Sequence, residues 1–228
     1  IAAHELRTPL QPMIGITTIL KNEIQSERHR EFLEILIRNI QRLKILYEDI
    51  LDVTKIESNS LNLDKEHFKI KELILKISDN YKNEAAAKNI KFEYIFSDDN
   101  DDVIYADKNR IIQAISKFIC NSIKFISKEK EDEGIISISV KRRKSDNCNS
   151  DIDSKNIVVV MIKDNGAGID EEMLPKLFTK FVSKSFQGAG LGLYICKNII
   201  EAHGGKIWGE NNRDEKGATF GFSLPFVN

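Results

Sequence analysis

The chain has 228 residues, 41% of them hydrophobic, and its 34 Lys and Arg against 35 Asp and Glu leave a formal net charge of -1. That length suits one large core or two modest ones, and the composition excludes disorder. The charge balance excludes a global basic field for nucleic acid and a solvating acidic tail. No apolar run approaches the roughly 18–20 residues of a membrane helix, and the opening residues do not read as a signal peptide. The three cysteines, Cys120, Cys148 and Cys196, form no CxxC pair, which argues against a disulfide framework or a zinc site and for a reducing cytosol.

The chain opens with IAAHELRTPL, without a Met or an N-cap residue, and reads as a piece that starts inside a helix. Leu6, Leu10, Met13, Thr17, Leu20 and Ile24 follow at alternating steps of four and three. This is a heptad seam, in which Pro9 is expected to kink the helix. Ser26 is the expected N-cap of a second helix carrying Leu33, Leu36, Ile40, Leu43, Tyr47, Ile50 and Thr54. Two helices cannot cover so broad a stripe, so an antiparallel hairpin pairing with a second copy into a four-helix bundle is expected.

The period changes around residues 57–65, and strands and helices then alternate. Residues 71–88 and 108–127 read as helices, the latter with Asp107 as N-cap. KFEYIFS (91–97), VIYAD, IISISVKRR (135–143) and NIVVVMIKD (156–164) read as strands. A helix over about 190–203 precedes a closing strand pair, KIWGENN and GATFGFSLPF. The fold class is therefore α+β: an N-terminal helical hairpin, residues 1–60, then an α/β sandwich with a mixed sheet backed by helices on one side, residues 61–228.

Three constellations stand out. With Leu6, Met13 and Leu20 at heptad position d, His4, Glu5 and Thr8 fall at b, c and f and point away from the seam. These are ordinary surface residues, or an exposed imidazole beside a carboxylate that can take its proton while a ring nitrogen attacks an electrophile. Next, DNGAGID (164–170) follows a strand, and GAGLGLYICKNIIEAHGG (188–205) leads into a helix, with Gly188, Gly190 and Gly192 in GxGxG spacing. Two such loops are either turns or a phosphate cradle, where the backbone approaches closely and a helix N-terminus favours anions. Asp164 at a strand end is a candidate acceptor for an exocyclic amine such as that of adenine. Finally, Asn121 and Lys124 interrupt the apolar helix 110–125 one turn apart. They mark either a solvent-facing edge or a place where a magnesium–phosphate group offsets the cost of burying them.

HELRTP (4–9), NSIKF (121–125), DNGAGI (164–169), LFTKF (177–181) and GAGLGLYI (188–195) occur in that order. They resemble the H, N, G1, F and G2 boxes of sensor histidine kinases, and GATF (217–220) resembles the family's terminal glycine–threonine motif. The resemblance spans essentially the whole chain. It implies a HisKA-type dimerisation and phosphoacceptor domain followed by a gyrase-type ATP-binding domain. It implies His4 as phosphoacceptor, Glu5 as its hydrogen-bonded base and Thr8 as the residue that orients water in dephosphorylation. Asn121 would ligate magnesium, Lys124 would contact phosphate and Phe125 would line the adenine pocket. Asp164 would bind the adenine amine, with Gly166 and Gly168 shaping the pocket and Thr219 supporting it. Phe178 and Phe181 would anchor the ATP lid, Lys184 would reach the terminal phosphate, and Gly188, Gly190 and Gly192 would let the lid close. ATP and Mg2+ are the implied cofactors. The implied partners are a second copy through residues 1–60 and the receiver domain of a response regulator, and the implied setting of this fragment is cytoplasmic.

Two departures bear on activity. Where the family usually has an Asn four residues before the magnesium ligand, this chain has Lys117. That cation either pairs with phosphate, crowds the metal, or snorkels outward and is silent. Only VSKSFQ (182–187) separates Phe181 from the G2 glycines, which predicts a short lid. The expected function is autophosphorylation of His4 from ATP and transfer to a receiver aspartate. The alternative is a nucleotide-gated, receiver-binding switch or phosphatase with kinase activity weakened by Lys117. A third reading, a chaperone- or repair-type ATPase, gives the HELRT segment no role. His29, His67 and His203 lack mutual metal-ligand spacing and read as structural or solvated. Cys120 and Cys196 read as small core residues, and Trp208 as a packing residue of the closing strands.

Overall fold

The computed structural model describes residues 2–24, 26–96, 103–126, 133–144, 156–182, 190–213 and 215–226, with side chains except those of residues 2–11, 22, 144 and 156. The expected roles of Lys184 and Gly188 lie outside the described residues, as does Cys148. Two compact units form, one within Ile1–Leu61 and the other from Asn62–Val182 with Gly192–Asn228.

The first unit is the helical hairpin. Helix α1 (Ala2–Glu23) runs unbroken across Pro9, and α2 (Glu27–Glu57) doubles back after a link of three residues. Lys21 and Glu34 bridge the two helices at 2.8 Å, and the Lys21 ammonium holds the exposed Glu34 carboxyl below its usual range. Arg30 Nε donates to the Ile24 carbonyl at 2.8 Å, closing the bend. Ser26 occupies the N-cap position of α2, but its hydroxyl caps nothing; its carbonyl instead accepts the N–H groups of His29 and Arg30. The far end of α2 stops on Asn59 in the left-handed region, φ 49°. The Ser60 N–H reaches back to the Lys55 carbonyl and the Asn59 N–H to Ile56, the hydrogen-bond pattern of a Schellman stop.

The heptad splits into two faces. Leu33, Ile40 and Tyr47, seven residues apart, are buried, and Thr17 and Ile24 are half-buried. Leu36, Leu43 and Ile50 stay 50%, 53% and 50% exposed, and Met13, Ile16 and Leu20 are exposed on α1. A single hairpin thus covers half of its own apolar stripe.

The second unit is a five-stranded sheet with helices on one face. Its strand order is β2 (Ile90–Phe96), β4 (Gly134–Lys144), β5 (Asn156–Asp164), β7 (Ala218–Pro225), β6 (Lys206–Asn211). The β2–β4 pair is parallel and every other pair antiparallel, so the sheet is mixed, as the strand pattern predicts. A separate two-stranded sheet pairs β1 (Glu66–Lys69) with β3 (Val103–Ala106). Alternate residues Ile136, Ile138 and Val140, then Val158, Val160 and Ile162, then Phe220, Phe222 and Leu224 face one core. Helices α3 (Ile70–Ala86), α4 (Lys108–Phe125) and α5 (Gly192–Ala202) supply its other half. Helix α4 lies centrally: Ile111, Ala114, Ile115, Phe118 and Ile119 are wholly buried, and the Phe118 ring sits 5.5 Å from that of Phe220 and 6.3 Å from that of Phe222. Cys196 belongs to this core. Cys120 does not: it leaves the apolar face of α4 exposed, and its Sγ donates to Tyr81 Oη of α3 at 3.4 Å. Trp208 lies flat over Gly221, where a Cβ would stand 2.5 Å from the indole.

The uncovered half of the hairpin stripe predicts self-association. Leu43→Glu with Ile50→Glu places two charges in it and is expected to convert a two-chain particle into single chains, as read by light scattering. Equal masses for wild type and variant would refute this.

Candidate functional site

Strand β5 ends on Asp164, which is buried at 4% exposure. Its carboxylate is held from three elements. Oδ2 accepts the Ser122 hydroxyl of α4 at 3.0 Å, and Oδ1 accepts the Gly166 N–H at 2.9 Å and the Ala218 N–H of β7 at 3.3 Å. The donors fix an acceptor-only anion at one spot, the group that takes an N–H from an exocyclic amine.

The loop after Asp164 is shaped from both sides. Ala167 donates its N–H to the Phe125 carbonyl at 3.1 Å, so the end of α4 and the glycine loop close on each other. A Cβ on Gly166 would stand 2.8 Å from that carbonyl oxygen and 2.9 Å from Asp164 Oδ1. Gly168 takes a positive φ of 80°, which only glycine adopts freely. Beside it, Asn211 accepts the Ile169 N–H at 2.6 Å and donates to the Ile169 carbonyl at 2.7 Å. Asn212 donates to the Asp164 carbonyl at 2.8 Å and accepts the Thr219 hydroxyl at 2.8 Å. Thr219 therefore acts on the Asp164 region through Asn212. Asn165 pins the other side, accepting the Ile135 N–H at 2.8 Å and donating to the Glu133 carbonyl at 3.0 Å.

Helix α4 brings the remaining residues. Lys117, Asn121 and Lys124 lie at i, i+4 and i+7, hence on one side, and all three are half-buried. Lys124 Nζ stands 5.4 Å from the centre of the exposed Phe125 ring. Gly190, with φ 68°, precedes Gly192, the first residue of α5. Phe178 packs against the core, whereas Phe181 is 74% exposed in the left-handed region, φ 64°. His4, Glu5 and Thr8 lie on α1, among residues whose side chains are not described.

Sequence reasoning missed Ser122 and the three asparagines, as well as a node that holds α4 and α5 together. Asp107 caps α4, its Oδ1 accepting the Arg110 N–H at 3.1 Å, while Oδ2 accepts the Asp64 N–H at 3.0 Å. The Asp107 N–H donates to His203 Nε2, at the end of α5, at 2.9 Å. His203 Nδ1 faces the Ile199 carbonyl at 2.8 Å. A carbonyl only accepts, so Nδ1 carries the hydrogen and the imidazole is neutral. Burial lowers its pKa, opposed in part by the Ile199 carbonyl and Asp107.

The family described as histidine kinase-, DNA gyrase B- and HSP90-like ATPase matches residues 106–228, and the His Kinase A (phospho-acceptor) domain matches residues 1–59. The chain belongs to this ATPase family and is a sensor histidine kinase in its domain make-up, with an ATP-binding second unit. Among curated relatives, the autoinducer 2 sensor kinase/phosphatase LuxQ of Vibrio vulnificus is 29% identical over 98% of this chain, which spans 25% of that protein. Full-length ShkA, solved in complex with AMPPNP, is 26% identical with a TM-score of 0.76, covering all of this chain and 45% of ShkA. The histidine kinase ThkA, solved with the response regulator protein TrrA, is 27% identical with a TM-score of 0.61, covering 99% of this chain and 60% of ThkA.

Two outcomes follow. Gly166→Ala is expected to weaken AMPPNP binding by about tenfold, because the added methyl must displace backbone; calorimetry checks this, with circular dichroism confirming the fold. For His203, the unfolded ring protonates near its ordinary value of 6.5 while the folded ring resists. The stability it supplies is present above about pH 6.5 and is lost as pH falls toward the lowered native value. The urea midpoint of the wild type is expected to drop more steeply than that of His203→Gln between pH 7.5 and 5.

Proposed function

We propose that this chain is the catalytic core of an ATP-dependent histidine autokinase in two-component signalling, with residues 1–60 as phosphoacceptor and dimerisation domain and 61–228 as catalytic domain. A ring nitrogen of His4 attacks the γ-phosphorus of ATP, the bond to the β-phosphate oxygen breaks and ADP leaves, and Glu5 takes the ring proton. The phosphoryl group then passes to an aspartate of a receiver domain. Such a transfer needs little covalent chemistry from the protein; positioning and charge neutralisation carry it.

The roles follow the residues. Asp164, immobilised by Ser122, Gly166 and Ala218, takes the adenine amine, and Phe125 lines the ring. Gly166 and Gly168 keep the pocket open, and Thr219 steadies it through Asn212. Lys124 and Lys184 face phosphate, and Gly188, Gly190 and Gly192 admit the triphosphate beneath the lid. Thr8, one helical turn from His4, orients water when a phosphorylated receiver is hydrolysed. Magnesium suits the half-buried amide of Asn121: a hard cation takes oxygen ligands and commonly completes its shell with phosphate oxygens and water. When bound, it neutralises charge on the phosphates. The rigid Asp164 carboxylate beside a glycine loop that a Cβ would fill is the observation that carries this reading.

Dimerisation through the hairpin is supported by the uncovered Leu36, Leu43 and Ile50 face, and a receiver partner by the ThkA complex with its response regulator. The non-kinase switch and the chaperone-type ATPase are not favoured, because a His Kinase A (phospho-acceptor) domain precedes the ATPase match and ThkA, similar over 99% of this chain, is a histidine kinase. Among the described residues, no helix is long and apolar enough to cross a membrane. Incubation with γ-labelled ATP and magnesium is expected to give acid-labile label on the wild type and none on His4→Ala. Label that survives that substitution would defeat the proposal.

A further inference from the structure

Lys117 stands where the family resemblance has an amide, and its side chain takes a definite course. It lies along Gly192: a Cβ built on that glycine would stand 3.3 Å from Lys117 Cδ and 3.8 Å from both Cε and Nζ. The side chain is half-buried and runs toward α5, so it does not snorkel away from the site. Glycine at 192 is the floor on which the lysine stem rests.

This course carries the ammonium to the first turn of α5, an eleven-residue helix with no acidic residue in that turn. The first N–H groups of a helix lack partners within it and form its positive end. A cation beside them is electrostatically opposed, and an anion between the two is attracted by both. The ammonium also shares its side of α4 with Asn121 and Lys124, one and two turns further on. In this domain the anion delivered to that side is the nucleotide's phosphate chain.

We propose that Lys117 is a positioning residue for the triphosphate, its ammonium bonding directly to an oxygen of the β- or γ-phosphate next to the first turn of α5. The inference rests on the nucleotide reading of the Asp164 site. A full positive charge then does part of the neutralisation that otherwise falls to the divalent cation. Triphosphate binding by this chain therefore depends less on magnesium than it would with asparagine at 117.

Calorimetry on the full chain tests this with AMPPNP and AMP, each in EDTA and in excess magnesium, for wild type, Lys117→Met, Lys117→Asn and Lys117→Arg. In EDTA, Lys117→Met is expected to lose about tenfold in AMPPNP affinity, the scale of one charge-assisted hydrogen bond, with AMP affinity unchanged. Lys117→Arg is expected to retain most of the wild-type value. Lys117→Asn is expected to show a magnesium-to-EDTA affinity ratio about tenfold larger than wild type. Equal AMPPNP affinities for wild type and Lys117→Met in EDTA would overturn the inference. So would a parallel loss for AMPPNP and AMP, which marks a structural role. Failure of the wild type to bind AMPPNP even in magnesium would overturn the nucleotide reading, and this inference with it.

Discussion

A buried carboxylate is expensive unless it is fully bonded, and Asp164 is the point on which the second unit turns. Its oxygens are met by a side chain from α4, a backbone group of its own loop and a backbone group of β7. Because these donors come from three elements, the charge is affordable only when helix, loop and sheet have assembled. The same bonds that satisfy the charge fix where it points, so in the proposed function the requirement of the fold and that of nucleotide recognition coincide in one group. Gly166 and the Phe125 carbonyl complete the arrangement, since any side chain at 166 would separate the loop from the end of α4.

The two units solve different packing problems. The second closes its own core, with α4 buried against the sheet through Phe118 and a run of isoleucines. The hairpin does not: its buried and exposed apolar positions interleave along α2 with a period of seven. Asp107 and His203 give the second unit a further tie, joining the start of α4 to the end of α5 through backbone and ring rather than apolar contact. Polar bonds of fixed direction hold two helix ends in register better than non-directional burial does.

Local patterns were legible where one element carries its own signal. The heptads, the apolar period of α4, the β-branched runs of β4 and β5 and the Asp107 cap all appear as expected, since each is settled within a few residues. Ser26 has the right type and place for a cap, yet its hydroxyl makes no such bond. Cys120 lies on an apolar helix and so reads as core, but it faces Tyr81, a residue 39 positions earlier. The glycines of the loop after Asp164 stood out in the sequence, whereas the asparagines that clamp that loop did not. Asn211 meets Ile169 and Asn212 meets Asp164 only because β6 lies at the end of the sheet beyond β7, a pairing with no local signature. The direction of Lys117 was likewise open in the sequence, because Gly192 lies 75 positions away.

The stacking of Trp208 on Gly221 has a practical side. The chain contains a single tryptophan; it lies on β6 in the second unit and covers Gly221, three residues along β7 from the Ala218 backbone that bonds Asp164. Indole emission therefore reports the melting of the sheet alone, while far-ultraviolet ellipticity is weighted by the long hairpin helices. A denaturation curve followed by both signals separates the two units without any introduced label. Curves that fail to coincide would reflect the division of the chain rather than a folding intermediate within either part.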